Sequence, residues 1–131
     1  MASVFSRILK KELPAYWIAE DERAFAFLAL DPIQLGHTLV VPKLEVNHWM
    51  DVPAEDFQAV QSLALKIGPA IRSSTQAPRV LTATVGFEVP HYHLHLIPAW
   101  TVGDLDFSKA RRRTADEMES IQAQIRSLLP R

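Results

Sequence analysis

The chain is expected to fold as α+β, with an antiparallel sheet and helices packed mainly on one of its faces. Three observations predict this. Five short segments carry alternating or continuous apolar residues and three others carry them at helical spacing, in the order α, ββ, β, α, ββ, α. The paired strand segments are joined by tight turns, which suit antiparallel neighbours. With 131 residues, 48% of them hydrophobic, the chain suits one domain with a real core, and no repeat, low-complexity tract or linker divides it.

The elements follow in order. "SVFSRILKKELP" (residues 3–14) reads as a short helix with Phe5, Ile8 and Leu9 on one side and Pro14 as its stop. "AYWIAE" and "AFAFLAL" read as a hairpin turned by the charged "EDER" at 20–23. "DPIQLG" is a loop signalled by Asp31, Pro32 and Gly36, and "HTLVVP" (37–42) is a buried strand. Asp51 and Pro53 announce a helix carrying Phe57, Val60, Leu63, Ala64, Ile67 and Ile71, which Gly68 and Pro69 are expected to kink or shorten. "RVLTATV" and "HYHLHLI" are two further strands, joined through "GFEVP". "TADEMESIQAQIRSLL" (114–129) is a closing helix. Its capping box is Thr114 and Glu117, and its apolar stripe is Met118, Ile121, Ile125 and Leu128. The "ARRR" before it reads as a solvated turn. Trp49 and Trp100 fall in expected loops, where they cover a pocket, cap a subunit contact or simply pack.

Composition excludes several classes. The formal net charge of −1 supplies no field to recruit nucleic acid or an anionic membrane. Apolar runs are too short for a transmembrane helix, and the first residues lack a signal-peptide pattern, so a cytoplasmic location is expected. Without cysteine there is no disulfide, thiolate catalyst or cysteine-ligated zinc.

The chemistry concentrates in "VPHYHLHLIP" (89–98). Three of the five histidines, His91, His93 and His95, stand at every second position. On a strand they share one face, while Tyr92, Leu94 and Leu96 share the other and should meet the core. The histidine face is then a polar stripe that must be solvated, liganded or catalytic. A rise of roughly 3.3 Å per residue puts His91 about 13 Å from His95, too far for one zinc to collect all three. Two of them with His37 or another ligand would still make a metal site, and plain exposed histidines are the simplest structural alternative. Covalent catalysis is the remaining reading. A neutral imidazole is a good nucleophile near pH 7, and clustered donors suit a phosphate. The loop at Gly86 could add backbone N–H groups.

The motif His91-Tyr92-His93-Leu94-His95-Leu96-Ile97 resembles that of the histidine triad (HIT) superfamily, in its Hint-like nucleotide hydrolase and transferase branch. "GHTLVVPK" (36–43) resembles the family's second signature, with His37, and residues 4–28 resemble its N-terminal helix and first hairpin. The likeness covers a core of roughly residues 3–98. It implies a HIT-like fold with a five-stranded antiparallel sheet, a homodimer, and a small-molecule nucleotide as substrate. No cofactor is implied. The implied reaction hydrolyses or transfers a nucleoside monophosphate through a nucleotidyl-histidine intermediate. Carried over, His93 is the nucleophile, His95 and His37 face the phosphate or support His93, and His91 fixes its orientation through a backbone carbonyl. Phe5, Ile8, Leu13, Phe27 and Leu30 match positions lining the base and ribose, where core packing is an equally good reading. Asp31, Gly86, Glu88 and Val89 complete the implied nucleotide site.

The chain also departs from the family pattern. Ser3, Ser6 and Glu45 stand at positions where some members carry zinc ligands, leaving only His91 of that set, so no metal is expected. Ala29 replaces the aspartate that meets the ribose; Asp31 lies two positions later and suits a turn. Phe87 and Glu88 replace the glutamine and small polar residue before the triad, and no asparagine lies nearby, Thr82 and Thr84 being the closest polar candidates. Glu88 is either held protonated by substrate and donates to the leaving group, or faces solvent with only its N–H near phosphate. The departures keep a second function open, a nucleotide or phosphate sensor with little turnover. A metalloprotein using His37, His93 and His95 is the third.

Overall fold

Alternation along the strands gives the sheet two apolar faces of different character. The computed structural model describes residues 2–130, so Met1 and Arg131, the ends of the 1–131 span expected to form one domain, lie outside the described residues. Helix α1 is Val4–Leu9, followed by strands β1 (Trp17–Glu20), β2 (Ala24–Leu28) and β3 (Thr38–Pro42). Helix α2 (Ala54–Thr75), strands β4 (Arg79–Ala83) and β5 (Leu94–Ala99) and helix α3 (Ala115–Ser127) complete the chain. The strands form one five-stranded sheet in the order β1-β2-β3-β5-β4, every pair antiparallel. The α+β architecture is thus the one the sequence predicts.

On one face, Ala24, Ala26, Leu28, Val40, Tyr92, Leu94 and Leu96 pack against Val60, Leu63, Ile67 and Ile71 of α2 and Met118, Ile121 and Ile125 of α3. On the other, Phe25, Phe27, Leu39 and Val41 pack against Phe5 and Ile8 of α1. Alanines therefore face the long helices, while the phenylalanines line the side covered by one short helix. That shallower cover leaves room for a cavity.

Local chemistry explains most boundaries. The β1–β2 turn closes because the Asp21 carboxylate accepts from the N–H groups of Arg23 and Ala24, at 2.9 and 2.8 Å. Gly36 has φ +101, and an added Cβ would come within 3.0 Å of Thr75 Cγ2, so loop and helix approach as only glycine permits. The Thr114–Glu117 capping box forms as predicted.

Four expectations need correction. Helix α1 stops at Leu9, before Pro14. Lys11, at φ 65, takes the left-handed position while its N–H and that of Glu12 reach back to the carbonyls of Ile8 and Arg7. A cation over the Trp17 ring, with Nζ 3.5 Å from the centroid, holds this non-glycine turn. Helix α2 is not shortened at Gly68 and Pro69 but runs through both to Thr75. Leu65, whose carbonyl Pro69 cannot satisfy, is exposed, so water can take the lost bond. Leu128 caps α3 and is exposed, outside the buried stripe of Met118, Ile121 and Ile125. The "ARRR" segment is also more than a solvated turn. The Arg111 N–H donates to the Pro32 carbonyl, and the Arg112 guanidinium pairs with Asp31 at 3.3 Å.

Candidate active site

The histidine row is only partly strand. β5 begins at Leu94; His91 and His93 precede it and His95 lies within it. The β3–β5 ladder ends at the pair Val40 and Leu94. Two residues further along β3, Pro42 has no N–H to offer, and the N–H of Tyr92 turns instead to the carbonyl of Val46 at 2.7 Å. The three rings still share the α1 side of the sheet, since Phe5 lies 5.7 Å from His91 and 4.8 Å from His93 between ring centroids. A solvated stripe is not what forms. His91, His93 and His95 are 0, 6 and 8% exposed, and His37 is 3% exposed. Phe5 covers His93 from one side, and Phe107 stands edge-on over His95 at 4.9 Å from the other.

Hydrogen bonds fix the proton on each ring. The His93 Nδ1 lies 2.8 Å from the His91 carbonyl, which can only accept, so Nδ1 carries the proton and Nε2 keeps its lone pair. The His91 Nε2–H donates to the Pro42 carbonyl at 2.8 Å, and its Nδ1 accepts from the Ser3 hydroxyl at 2.7 Å. The His37 Nδ1 accepts from the Ile33 N–H at 3.1 Å, so its Nε2–H donates to the His95 Nδ1 at 2.9 Å. A neutral His95 then carries its proton on Nε2, free to donate to a ligand. The His93 and His95 rings stand side by side, with centroids 4.9 Å apart.

Burial keeps these rings neutral. It pushes His37 down to about 4, with repulsion from His93 adding, and His95 down to about 3, with His37 and His93 adding. Burial also lowers His93, against the opposing pull of the His91 carbonyl and Glu88. It lowers His91 likewise, against the Pro42 carbonyl and Glu45.

The positioning network reaches into α1. The Glu45 Oε1 accepts from the Ser3 N–H at 2.8 Å and the Ser6 hydroxyl at 2.7 Å, and the Ser3 hydroxyl both caps α1 and holds His91. The four positions compared with a zinc set are therefore joined by hydrogen bonds. Thr84 donates to the His93 carbonyl at 2.9 Å. Among the described residues, no three His, Cys, Asp or Glu side chains form a group that could hold a metal ion.

A cavity of about 540 Å³ opens onto the histidines, within the usual range for small-molecule sites. Phe5, Ile8, Leu13, Phe27, Leu30 and Asp31 line it, together with the exposed Glu88, Val89 and the buried His37, His93 and His95. His91 lies behind this wall. Gly86, at φ +83, shapes the turn of a second cavity of about 270 Å³ against the same histidines. Asp31 sits at the rim in its pair with Arg112. Trp49 and Trp100 are half-exposed and line neither cavity. Sequence reasoning missed Phe107 and Ala110, which line the large cavity from beyond the expected core. The one available signal was an aromatic residue in an otherwise polar stretch.

The fold and the row of histidines facing one apolar cavity define a histidine-triad type of domain. The family model of the HIT domain matches residues 10–101, and the chain belongs to this family. It is 33% identical over 117 residues to an uncharacterized 16.1 kDa HIT-like protein of Mycoplasma pneumoniae, covering 85% of this chain and 80% of that one. It is 29% identical over 119 residues to the adenosine 5′-monophosphoramidase HNT1 of Saccharomyces cerevisiae, covering 82% and 75% respectively. Among solved structures, a HIT-like protein of Bartonella henselae superposes with a TM-score of 0.85 at 25% identity, over 97% of this chain and 96% of the other. A zinc-bound histidine triad family protein of Mycobacterium smegmatis gives 0.83 at 29% identity, over 98% and 93%. No helix among the described residues is long and apolar enough to cross a membrane.

Proposed function

We propose that the protein is a nucleotide hydrolase or nucleotidyl transferase that works through a nucleotidyl-histidine intermediate at His93. The observation that carries this reading is the locked tautomer: the His91 carbonyl holds Nδ1–H, so the lone pair of Nε2 is the reactive group on a residue that lines the cavity. Similarity to a yeast adenosine 5′-monophosphoramidase supports the same class. The Nε2 of His93 attacks phosphorus, the bond from phosphorus to the leaving group breaks, and the leaving atom takes a proton from water. Water or another acceptor then attacks phosphorus, the P–N bond to His93 breaks, and the nucleoside monophosphate is released or passed on. The His95 Nε2–H donates to a phosphoryl oxygen, and His37 holds His95 in the tautomer that allows it. Phe5, Ile8, Leu13, Phe27 and Leu30 flank the base and ribose. Two copies would pair on an open edge of the sheet, whose outer strands are β1 and β4.

The test is intact-protein mass spectrometry after mixing with adenosine phosphoramidate and quenching early, for wild type and His93→Ala. A transient nucleotidyl adduct with released monophosphate, in wild type only, is the expected result. Bound nucleotide with neither adduct nor monophosphate would replace this reading by that of a sensor.

A further inference from the structure

The four buried imidazoles are not held alike. Among the described residues, His91 and His37 each have both ring nitrogens in hydrogen bonds, while His93 and His95 are bonded at Nδ1 alone. A ring tied at one nitrogen can still tilt about that bond. Each of these two has a phenylalanine against it. Phe5 meets His93 at 4.8 Å between centroids and 77° between planes, and Phe107 meets His95 at 4.9 Å and 70°. Edge-to-face contact is a favoured arrangement of aromatic rings, and it resists tilting.

The two phenylalanines differ in their support. Phe5 is buried in the core on the α1 side, and the His93 Nδ1 rests on a backbone carbonyl. Phe107 is 42% exposed, and the His95 Nδ1 rests on another side chain, that of His37. Phe107 stands on the segment between β5 and α3, which contains no strand and no α-helix. That segment is shaped by its own polar groups. Asp104 accepts from the N–H groups of Trp100 and Thr101 at 2.7 and 3.0 Å, Asp106 accepts from that of Ser108 at 3.0 Å, and the Lys109 Nζ donates to the Gly103 carbonyl at 2.9 Å. Past Phe107 it is tied to the loop before β3. The Arg111 N–H meets the Pro32 carbonyl, Arg112 pairs with Asp31, and the Arg113 guanidinium donates to the Ile33 carbonyl at 3.5 Å. Ile33 is the residue whose N–H fixes His37. One segment therefore reaches His95 by two routes: through Phe107 on its ring, and through Ile33 and His37 on its Nδ1.

We propose that Phe107 is a positioning residue for His95, and that residues 101–113 are the strap that holds it in place. The ring of Phe107 keeps the His95 Nδ1 on His37 and its Nε2–H aimed at the phosphoryl oxygen, and it keeps water from the His37–His95 bond. The kinetic consequence rests on the enzymatic reading given above; the positional one does not.

The test compares wild type, Phe107→Ala, Phe107→Leu and Phe107→Tyr by two measurements. The first is the exchange with water of the His37 Nε2–H, followed by NMR on histidine-labelled protein without substrate, with the His91 Nε2–H as internal reference. The Phe107→Ala variant should speed exchange at His37 about fivefold to tenfold, the scale of one edge-to-face aromatic contact, and leave His91 unchanged. The second is turnover of adenosine phosphoramidate, where kcat should fall by about the same factor while KM stays within about twofold. Phe107→Tyr keeps the ring and should restore both, and Phe107→Leu should fall between. A raised KM with kcat and the His37 exchange unchanged would show that Phe107 only lines the ligand cavity, which overturns the proposal. Faster exchange at His37 and His91 together would show a general loosening and overturns it too. Absence of His93-dependent turnover in wild type would remove the enzymatic reading alone, because the exchange rates decide the claim about Phe107 without substrate.

Discussion

Acid should unfold this protein through its buried imidazoles. His37 and His95 are hydrogen-bonded to each other as neutral rings, held down to about 4 and about 3. In the unfolded chain a histidine titrates near about 6.5. Between these values the unfolded state binds more protons than the folded one. Stability from this source is therefore fully present above the unfolded value and is lost as pH falls towards the folded one. For His37 alone, lowering the pH from 7 to 5 removes about 2 kcal/mol by linkage. Urea unfolding at those two pH values, for wild type and His37→Gln, isolates that amount, because the carboxylates contribute alike to both proteins. The wild type should lose about 2 kcal/mol more than the variant. Equal losses would refute the claim that His37 is buried neutral, and with it the assigned tautomers of His37 and His95.

The remaining predictions concern positioning and specificity. Ser3→Ala removes the α1 cap and leaves the His91 Nδ1 without its donor, so it should lower stability by about 1–2 kcal/mol and reduce kcat more than it changes KM. Ser3→Thr keeps the hydroxyl and should restore both; thermal melts with steady-state kinetics decide it. Ala29 offers the ribose no carboxylate and Asp31 is paired with Arg112, so 2′-deoxyadenosine phosphoramidate should be turned over within about threefold of the ribonucleotide. A preference of several hundredfold for the 2′-hydroxyl would show that Asp31 leaves Arg112 and serves the sugar.

What the sequence by itself determined was local. Helical spacing along α2 and, except at Leu128, along α3, the Thr114–Glu117 box and the charged turn at 20–23 are signals carried within a few residues, and each took the expected form. The histidine spacing likewise placed three imidazoles on one side of the sheet, opposite Tyr92 and Leu94. Only the tertiary structure decided what those imidazoles are. Their burial comes from Phe5, far upstream, and Phe107, downstream of the row. The tautomers of His91 and His95 come from Ser3, Pro42 and Ile33, each more than forty residues from the ring it fixes, directly or through His37, whereas that of His93 comes from the His91 carbonyl two residues away. The turn at Lys11 that follows α1 and the passage of α2 through Pro69 also go beyond the helical signal, the first with Lys11 over the Trp17 ring and the second beside the exposed Leu65. Periodicity reports which side of an element a residue takes. It cannot report what the fold lays on top, and for a histidine that covering sets charge, proton position and reactivity.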